Sequence, residues 1–202
     1  MTRIATIAFS FFLYPAVLGA QIPSVSLFVG YSYARADVFT PLSRGQNILP
    51  NRTNLNGWEV SFQGRVLPFI GVVADISYEY GSRPFTAFIV CQGPVPPTCV
   101  PPSGQMKARL GSYLFGPQFS VSIGRLAPFA HALFGASHLS DVTSVDNFSN
   151  SDTSFADALG GGIDYRLIPR VSWRLQGDAL QTRFFAATQT SLRFSTGLVF
   201  RF

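Results

Sequence analysis

Apolar and polar residues alternate along most of the chain with a period of two, which is typical of β-strands with two different faces. In the last segment, Leu192, Phe194 and Phe200 share one parity, whereas Arg193 and Arg201 occupy the other. The alternation predicts eight strands, at residues 23–36, 56–67, 69–82, 106–120, 125–138, 153–167, 170–183 and 190–202.

The fifth predicted strand, LAPFAHALFGASH, does not reveal which of its faces is apolar. Phe129, His131 and Leu133 compete with the opposite set, which includes Ala130 and Phe134. The phase of this strand therefore stays open.

The links between the predicted strands alternate between short and long. The short ones follow strands two, four and six, and the long ones lie near 37–55, 82–105 and 139–152, with a shorter one near 183–189. Because strands two, four and six end on the same side of a meander, all the long links are expected at one end of it. The order indicates an all-β, antiparallel, up-and-down arrangement.

The apolar face of the strands is bulky and aromatic, whereas the other face mixes small residues with charges. No amphipathic helix after residue 21 is available to cover the aromatic face. Closing the sheet with this face toward lipid satisfies every backbone group and leaves no edge. We therefore predict an eight-stranded transmembrane β-barrel whose interior carries Glu59, Arg65, Asp75, Glu79, Asp164, Arg166, Arg174, Asp178, Arg193 and Arg201.

An eight-stranded barrel is just wide enough for side chains to fill it. The inward charges must pair, since isolated buried charges are costly. The predicted partners are the acids of strands two and three with the arginines of strands seven and eight, namely Glu59, Asp75 and Glu79 with Arg174, Arg193 and Arg201. They form either a structural ionic core or, alternatively, a proton or ion path.

Aromatic residues near the predicted strand ends fit the two girdles that mark the membrane interfaces of such barrels. These residues are Tyr31, Tyr33, Trp58, Tyr78, Tyr80, Trp173 and Phe202.

The N-terminus has the order of a secretory signal peptide. Arg3 precedes an apolar stretch from Ile4 to about Leu13, and the small-residue end Gly19-Ala20 follows. We expect residues 1–20 to be removed on export and residues 21–202 to form the barrel domain.

The composition argues against several other classes of protein. Charged residues make up 12% of the chain, about half the usual share of roughly 25%, which argues against disorder. No basic cluster of the kind that nucleic acid requires is present. No apolar run long enough for a membrane helix follows the N-terminal region.

The two cysteines, Cys91 and Cys99, lie eight residues apart in one predicted loop. In an oxidising compartment we expect them to form a disulfide. A zinc site would lack partners nearby, since both histidines lie in another segment.

Candidate catalytic chemistry is sparse. His138, Ser140 and Asp141 gather the residue types of a hydrolase near the rim, but adjacency in sequence does not make a triad. Gly160-Gly161-Gly162 lacks the strand-to-helix context of a phosphate loop. We assign no catalytic residue, no metal and no cofactor.

The sequence resembles the small OmpA-like outer-membrane β-barrels of Gram-negative-type bacteria. The resemblance lies in GWEVSFQGRVLPFIGVVADISYEYGS (57–82), YLFGPQFSVSIGRLAPFAHALFGASH (113–138), FADALGGGIDYRL (155–167) and the terminal RFSTGLVFRF. It implies residence in the outer membrane, contact with its lipid and insertion by the barrel-assembly machinery. That machinery reads a last strand ending in an aromatic, here Phe200 and Phe202. Larger relatives carry a peptidoglycan-binding domain after the barrel; since this sequence stops at Phe202, we do not expect that role here.

Three functions follow as hypotheses. The first is a structural or surface-interaction barrel whose outer loops meet an external ligand or surface. The second is a narrow channel for small solutes or ions, and the third is a lipid-modifying enzyme. The first is preferred, because the residues identify a barrel and give no clear catalytic set.

Overall fold

A computed structural model describes residues 25–37, 52–86, 103–143, 149–184 and 188–202. These residues form eight strands: β1 (Val25–Asp37), β2 (Arg52–Arg65), β3 (Ile70–Thr86), β4 (Ser103–Ser120), β5 (Leu126–Thr143), β6 (Ser149–Ile168), β7 (Val171–Thr182) and β8 (Gln189–Arg201).

The eight strands close into an antiparallel barrel in which each strand pairs with its neighbours in sequence and β8 pairs with β1. The predicted fold class is confirmed. Closure removes every sheet edge, so the backbone groups of all strands can be satisfied within the barrel.

The pairing register shows that the strands are tilted relative to the barrel axis. Followed once round the barrel from Val25, the register returns to Arg35, ten residues further along β1. A stagger of this kind requires strands inclined by roughly 35–45° to the barrel axis.

Three short turns lie at one end of the barrel, hereafter the turn end. They join β2 to β3, β4 to β5 and β6 to β7. In the second turn, Gly124 has φ of 63°, a conformation that glycine adopts without strain. The opposite end, at which the strands join the longer links, is hereafter the loop end.

Strands β3 to β6 are longer than the other four. They have 17, 18, 18 and 20 residues, whereas β1, β2, β7 and β8 have 13, 14, 12 and 13. Because the turn end is level, the extra length lies at the loop end and continues into segments predicted as loops, such as 139–143. At that end β3 to β6 form a wall that extends beyond the other four strands.

The two faces of the strands separate as predicted: bulky apolar side chains point outward and polar or small ones point inward. The structure also resolves the phase of β5. Phe129, His131 and Leu133 are buried inside the barrel, whereas Ala130 and Phe134 face outward.

No helix in the described part of the chain is long and apolar enough to cross a membrane.

The interior differs along the barrel axis. Toward the loop end, Leu55, Leu110, Leu139 and Leu180 belong to one apolar cluster. The middle and the turn end are lined mainly by charged and polar side chains.

Candidate functional site

Arg193 is the centre of an ionic network inside the barrel. Its guanidinium donates hydrogen bonds to Asp178 at 2.8 and 3.1 Å, to Asp75 at 2.9 Å and to the Ser77 hydroxyl at 3.0 Å. The Glu59 carboxylate lies 3.7 Å away. These side chains come from β2, β3, β7 and β8, so the network joins strands that face one another across the barrel.

A second set of polar side chains supports the acids of this network. His131 Nε2 lies 2.7 Å from Asp178 Oδ1. Gln176 and Ser195 both donate to the Glu59 carboxylate. These contacts extend the network to β5 and leave each of the two carboxylates with several partners, which is what burial of an acid requires.

A second ion pair lies closer to the turn end. Arg174 donates to both oxygens of Asp164, at 2.7 and 3.0 Å, and Arg201 lies 3.4 Å from the same carboxylate. The Arg174 guanidinium also lies over the rings of Phe28 and Phe129, at 5.2 and 4.4 Å from their centroids. Both cation–π distances fall within the favourable range.

The barrel is packed solid around the Arg193 network. Arg193 and Glu59 have 0% exposure, both to the outside and to any internal space. No water-sized passage therefore runs alongside these two side chains. The apolar cluster adds a second packed layer toward the loop end.

The ten charges predicted to face inward fall into three groups by their burial. Seven are buried: Glu59, Asp75, Glu79, Asp164, Arg174, Asp178 and Arg193. Arg201 is half-buried, and Arg65 and Arg166 are exposed at the turn end. The burial of these charges thus decreases toward the turn end of the barrel.

The pairing differs in part from the sequence prediction. Arg193 does meet Glu59 and Asp75, but Arg174 and Arg201 both pair with Asp164. The reason is register, because Asp164 lies directly opposite Arg174 in the β6–β7 hairpin. Counting residues outward from the short turn between β6 and β7 could have predicted the pair of Asp164 and Arg174 from the sequence.

The contact between His131 and Asp178 was missed in the sequence, because it depends on the phase of β5. The two strands that carry these residues are not neighbours, and β6 lies between them. Gly160, opposite both residues, leaves room for the contact: a Cβ at this position would lie 2.0 Å from Asp178 Oδ1.

His138, Ser140 and Asp141 do not form a catalytic arrangement. His138 is exposed on the outer surface, where its Nδ1 lies 2.7 Å from Thr153 Oγ1. Asp141 is buried, and its odd position puts it on the inward parity of β5, opposite to that of His138. A triad needs its three side chains on one face.

The predicted girdle residues lie on the outward face. Tyr31, Trp58, Tyr80 and Trp173 are exposed, whereas Tyr33 and Tyr78 are half-exposed. Phe200 and Phe202 also point outward at the turn end, and the Phe202 amide donates to the Val25 carbonyl. Their role as an assembly signal remains a prediction.

A cation-lined depression lies on the outward surface near the loop end. Its main side chains, hereafter the outer basic patch, are Asn54, Asn56, Tyr78, Tyr80, Lys107 and Arg109. No carboxylate is among its described lining residues. The outer basic patch could have been predicted from the sequence, since Lys107 and Arg109 share the outward parity of Tyr113 and Phe115.

Three expectations fall wholly or largely outside the described residues: the signal peptide at 1–20, the disulfide between Cys91 and Cys99, and the long loops, of which 38–51, 87–102, 144–148 and 185–187 are not described. Within the described ranges, no group of three or more His, Cys, Asp or Glu side chains could hold a metal ion.

The fold is similar to that of solved outer-membrane proteins. Ail, the attachment invasion locus protein of Yersinia pestis, solved in complex with the heparin analogue sucrose octasulfate, is 15% identical, with a TM-score of 0.56 over 89% of this chain and 99% of Ail. Neisserial surface protein A is 10% identical, with a TM-score of 0.57 over 88% of this chain and 97% of that protein.

No family model and no curated protein matches the chain. At identities this low, the likeness establishes the fold, which is that of the small eight-stranded outer-membrane barrels, and leaves the role open.

Proposed function

We propose that this protein is an integral outer-membrane barrel whose function lies at its surface rather than in its interior. The observation that carries the proposal is the packed centre, where Arg193 and Glu59 have no exposed surface. Transport through the barrel would need a path past them. With the interior filled, the faces left for function are the two ends and the lipid-facing wall.

The outward face supports residence in a membrane. Large apolar side chains are exposed on it round the whole barrel, for example Phe62, Phe115, Leu159 and Leu175. Soluble proteins rarely expose a continuous apolar surface of this size. In the orientation typical of this fold, the turn end faces the periplasm and the loop end faces outward.

The loop end is the proposed interaction surface. The wall formed by β3 to β6 raises part of it beyond the membrane, and the outer basic patch lies at its base, between β2, β3 and β4. Lys107 and Arg109 offer two cations beside the amides of Asn54 and Asn56. This chemistry suits a partner rich in sulfate or phosphate groups.

We propose a polyanionic glycan as the partner class. The solved complex of Ail with a heparin analogue concerns that protein, and it offers sucrose octasulfate as a ready probe for this one. Binding to the folded barrel in lipid nanodiscs is measured by calorimetry. The K107Q/R109Q variant is compared with R125Q/R170Q, which removes the same charge from the turn end.

We expect K107Q/R109Q to weaken binding by about tenfold or more, since each charge-assisted contact contributes about 1.5–3 kcal/mol. The turn-end variant should change it by less than about twofold. An unmodified barrel that does not bind the probe, or equal weakening in both variants, would contradict the glycan proposal.

The channel hypothesis has a direct test. Purified barrel in planar bilayers should give no steady conductance, because the Arg193 network fills the interior. Discrete openings in the unmodified protein that disappear on heat unfolding would favour the channel instead.

We propose no enzymatic role. The lipid-modifying hypothesis required His138 and Ser140 to act with an acid, and Asp141 lies on the opposite face of β5. Lipid A from cells with and without the protein should have the same mass spectrum. A difference abolished by His138→Ala and Ser140→Ala would restore the enzyme hypothesis.

A further inference from the structure

The turn end contains an open cavity that the proposed surface role does not use. It has a volume of about 330 Å³, within the range of pockets that hold small ligands, roughly 300–1,000 Å³. Its polar walls come from five strands and include Gln63, Arg65, Gln118, Asp164, Arg166 and Arg201. We call it the turn-end cavity.

The turn-end cavity has excess positive charge. Asp164 is the sole carboxylate among its described lining residues, and both of its oxygens already accept from Arg174. Arg201 shares the same carboxylate at 3.4 Å. Arg65 and Arg166 have no ion-pair partner in the described part of the chain, so two guanidinium groups line the cavity without a counter-charge.

Gln118 provides a second, independent sign of a missing partner. Its side chain lines the cavity and is 2% exposed, yet its Oε1 has no hydrogen-bond partner among the described residues. A buried amide oxygen without a hydrogen-bond partner is destabilising. Because this oxygen has less than 1 Å² of accessible surface, the Gln118 amide has to turn toward the cavity before a ligand N–H or O–H group can satisfy it.

Two further arginines surround the mouth of the cavity. Arg125 and Arg170 lie in the second and third short turns and are exposed. They do not line the cavity, but their charge attracts anions toward it. The arginines at the rim therefore attract anions over a distance, and the arginines inside the cavity provide hydrogen-bond donors for them.

We propose that the turn-end cavity binds a small solute or chain end that carries a carboxylate or phosphate together with a hydrogen-bond donor. The oxyanion lies between the Arg65 and Arg166 guanidinium groups, whose planar forks match both anions. The donor satisfies Gln118 Oε1. Entry is from the turn end, since the packed Arg193 network closes the other side.

The test uses the folded, ¹⁵N-labelled barrel in lipid nanodiscs. It is titrated separately with inorganic phosphate and with the dipeptide acetyl-Ala-Ala, which has one free carboxylate. The amidated dipeptide is the uncharged control. Saturable shifts are expected for the Gln118 side-chain amide and for arginine Nε–H groups, with either anion or with both, and none with the amidated peptide.

Paired variants locate the site. R65Q/R166Q should weaken anion binding by about tenfold or more, and the matched rim variant R125Q/R170Q should change it by less than about twofold at physiological salt. The single variant R166Q serves if the double variant fails to fold, as judged by heat-dependent gel migration.

The outcomes separate the sources. If only phosphate saturates the site, the ligand is a phosphate. If only the dipeptide does, the ligand is a carboxylate. If both do, the cavity is a general oxyanion site. Absence of saturable shifts with both anions at millimolar concentration overturns the proposal. Equal weakening in the cavity and rim variants also overturns it, since the rim charge alone would then explain binding.

Discussion

The centre of the barrel and its turn-end mouth both contain inward arginines, yet the two regions treat them differently. Arg193 has no exposed surface and lies among Asp75, Asp178 and Glu59. Arg65 and Arg166 line an open cavity, with no carboxylate partner among the described residues. The same residue type on the same face of the sheet is structural in one region and available to a ligand in the other.

The cause of the difference is access to water. A guanidinium at the packed centre has lost its hydration and must be compensated by protein groups. At the mouth, water solvates the charge, so no acid is needed. Arginines without protein partners can therefore persist only near an end of the barrel, which is where a solute can reach them.

The largest effect should come from removing the central arginine. Arg193→Met leaves three buried carboxylates without their common cation, and we expect a loss of about 3–5 kcal/mol in the free energy of unfolding. Urea titration of the barrel in lipid vesicles, followed by tryptophan fluorescence, measures it.

A rescue variant sharpens this prediction. In R193M/D75N/D178N the uncompensated charges are reduced, so part of the lost stability should return. A loss below about 1 kcal/mol in R193M would show that the central network is not what stabilises the packed interior.

A smaller effect is expected from filling the space beside Asp178. In Gly160→Ala the new methyl group would lie 2.0 Å from Asp178 Oδ1 and 2.5 Å from the Gly177 carbonyl. Overpacking of this kind costs about 1–3 kcal/mol. Gly64→Ala is the matched control, because a Cβ there meets no atom within 4 Å; equal costs in the two variants would contradict the steric explanation.

The two histidines give the next comparison. His131→Ala removes a buried partner of Asp178, and the expected loss of stability is about 1–2 kcal/mol. His138→Ala removes an exposed side chain and should change stability by less than about 0.5 kcal/mol. The same urea titration compares them, and a larger effect at His138 would reverse the assignment of the inward face of β5.

The smallest effect is expected at the mouth. R65Q/R166Q removes two exposed arginines, so the free energy of unfolding should change by no more than about 0.5 kcal/mol. A loss comparable to that of Arg193→Met would mean that these arginines are structural, and the contrast between centre and mouth would fail.

Much of the fold could be predicted from the sequence, because parity alone separates lipid-facing from interior side chains. The strand count and the inward position of residues such as Glu59 and Arg193 follow from it. The same rule, continued to Lys107 and Arg109, would have found the outer basic patch. The parity rule failed in β5, because the residues of both parities are apolar there and the sequence does not show which set faces lipid.

The exact pairing of the inward charges could have been derived from the sequence only where a short turn sets the register. Asp164 and Arg174 flank such a turn and lie opposite each other. The contacts from Asp178 to His131 and from Arg193 to Asp75 cross the barrel between strands that are not neighbours. Alternation within a strand carries no information about which residues meet across the interior.

By itself the sequence determined a closed eight-stranded barrel with an aromatic exterior and a charged interior, since period-two alternation and link lengths act locally along the chain. Only the tertiary structure decided which inward charges are buried, which meet, and which line an open cavity. The physical reason is that burial depends on closure and on the stagger of the strands, which bring together residues more than a hundred positions apart, such as Asp75 and Arg193.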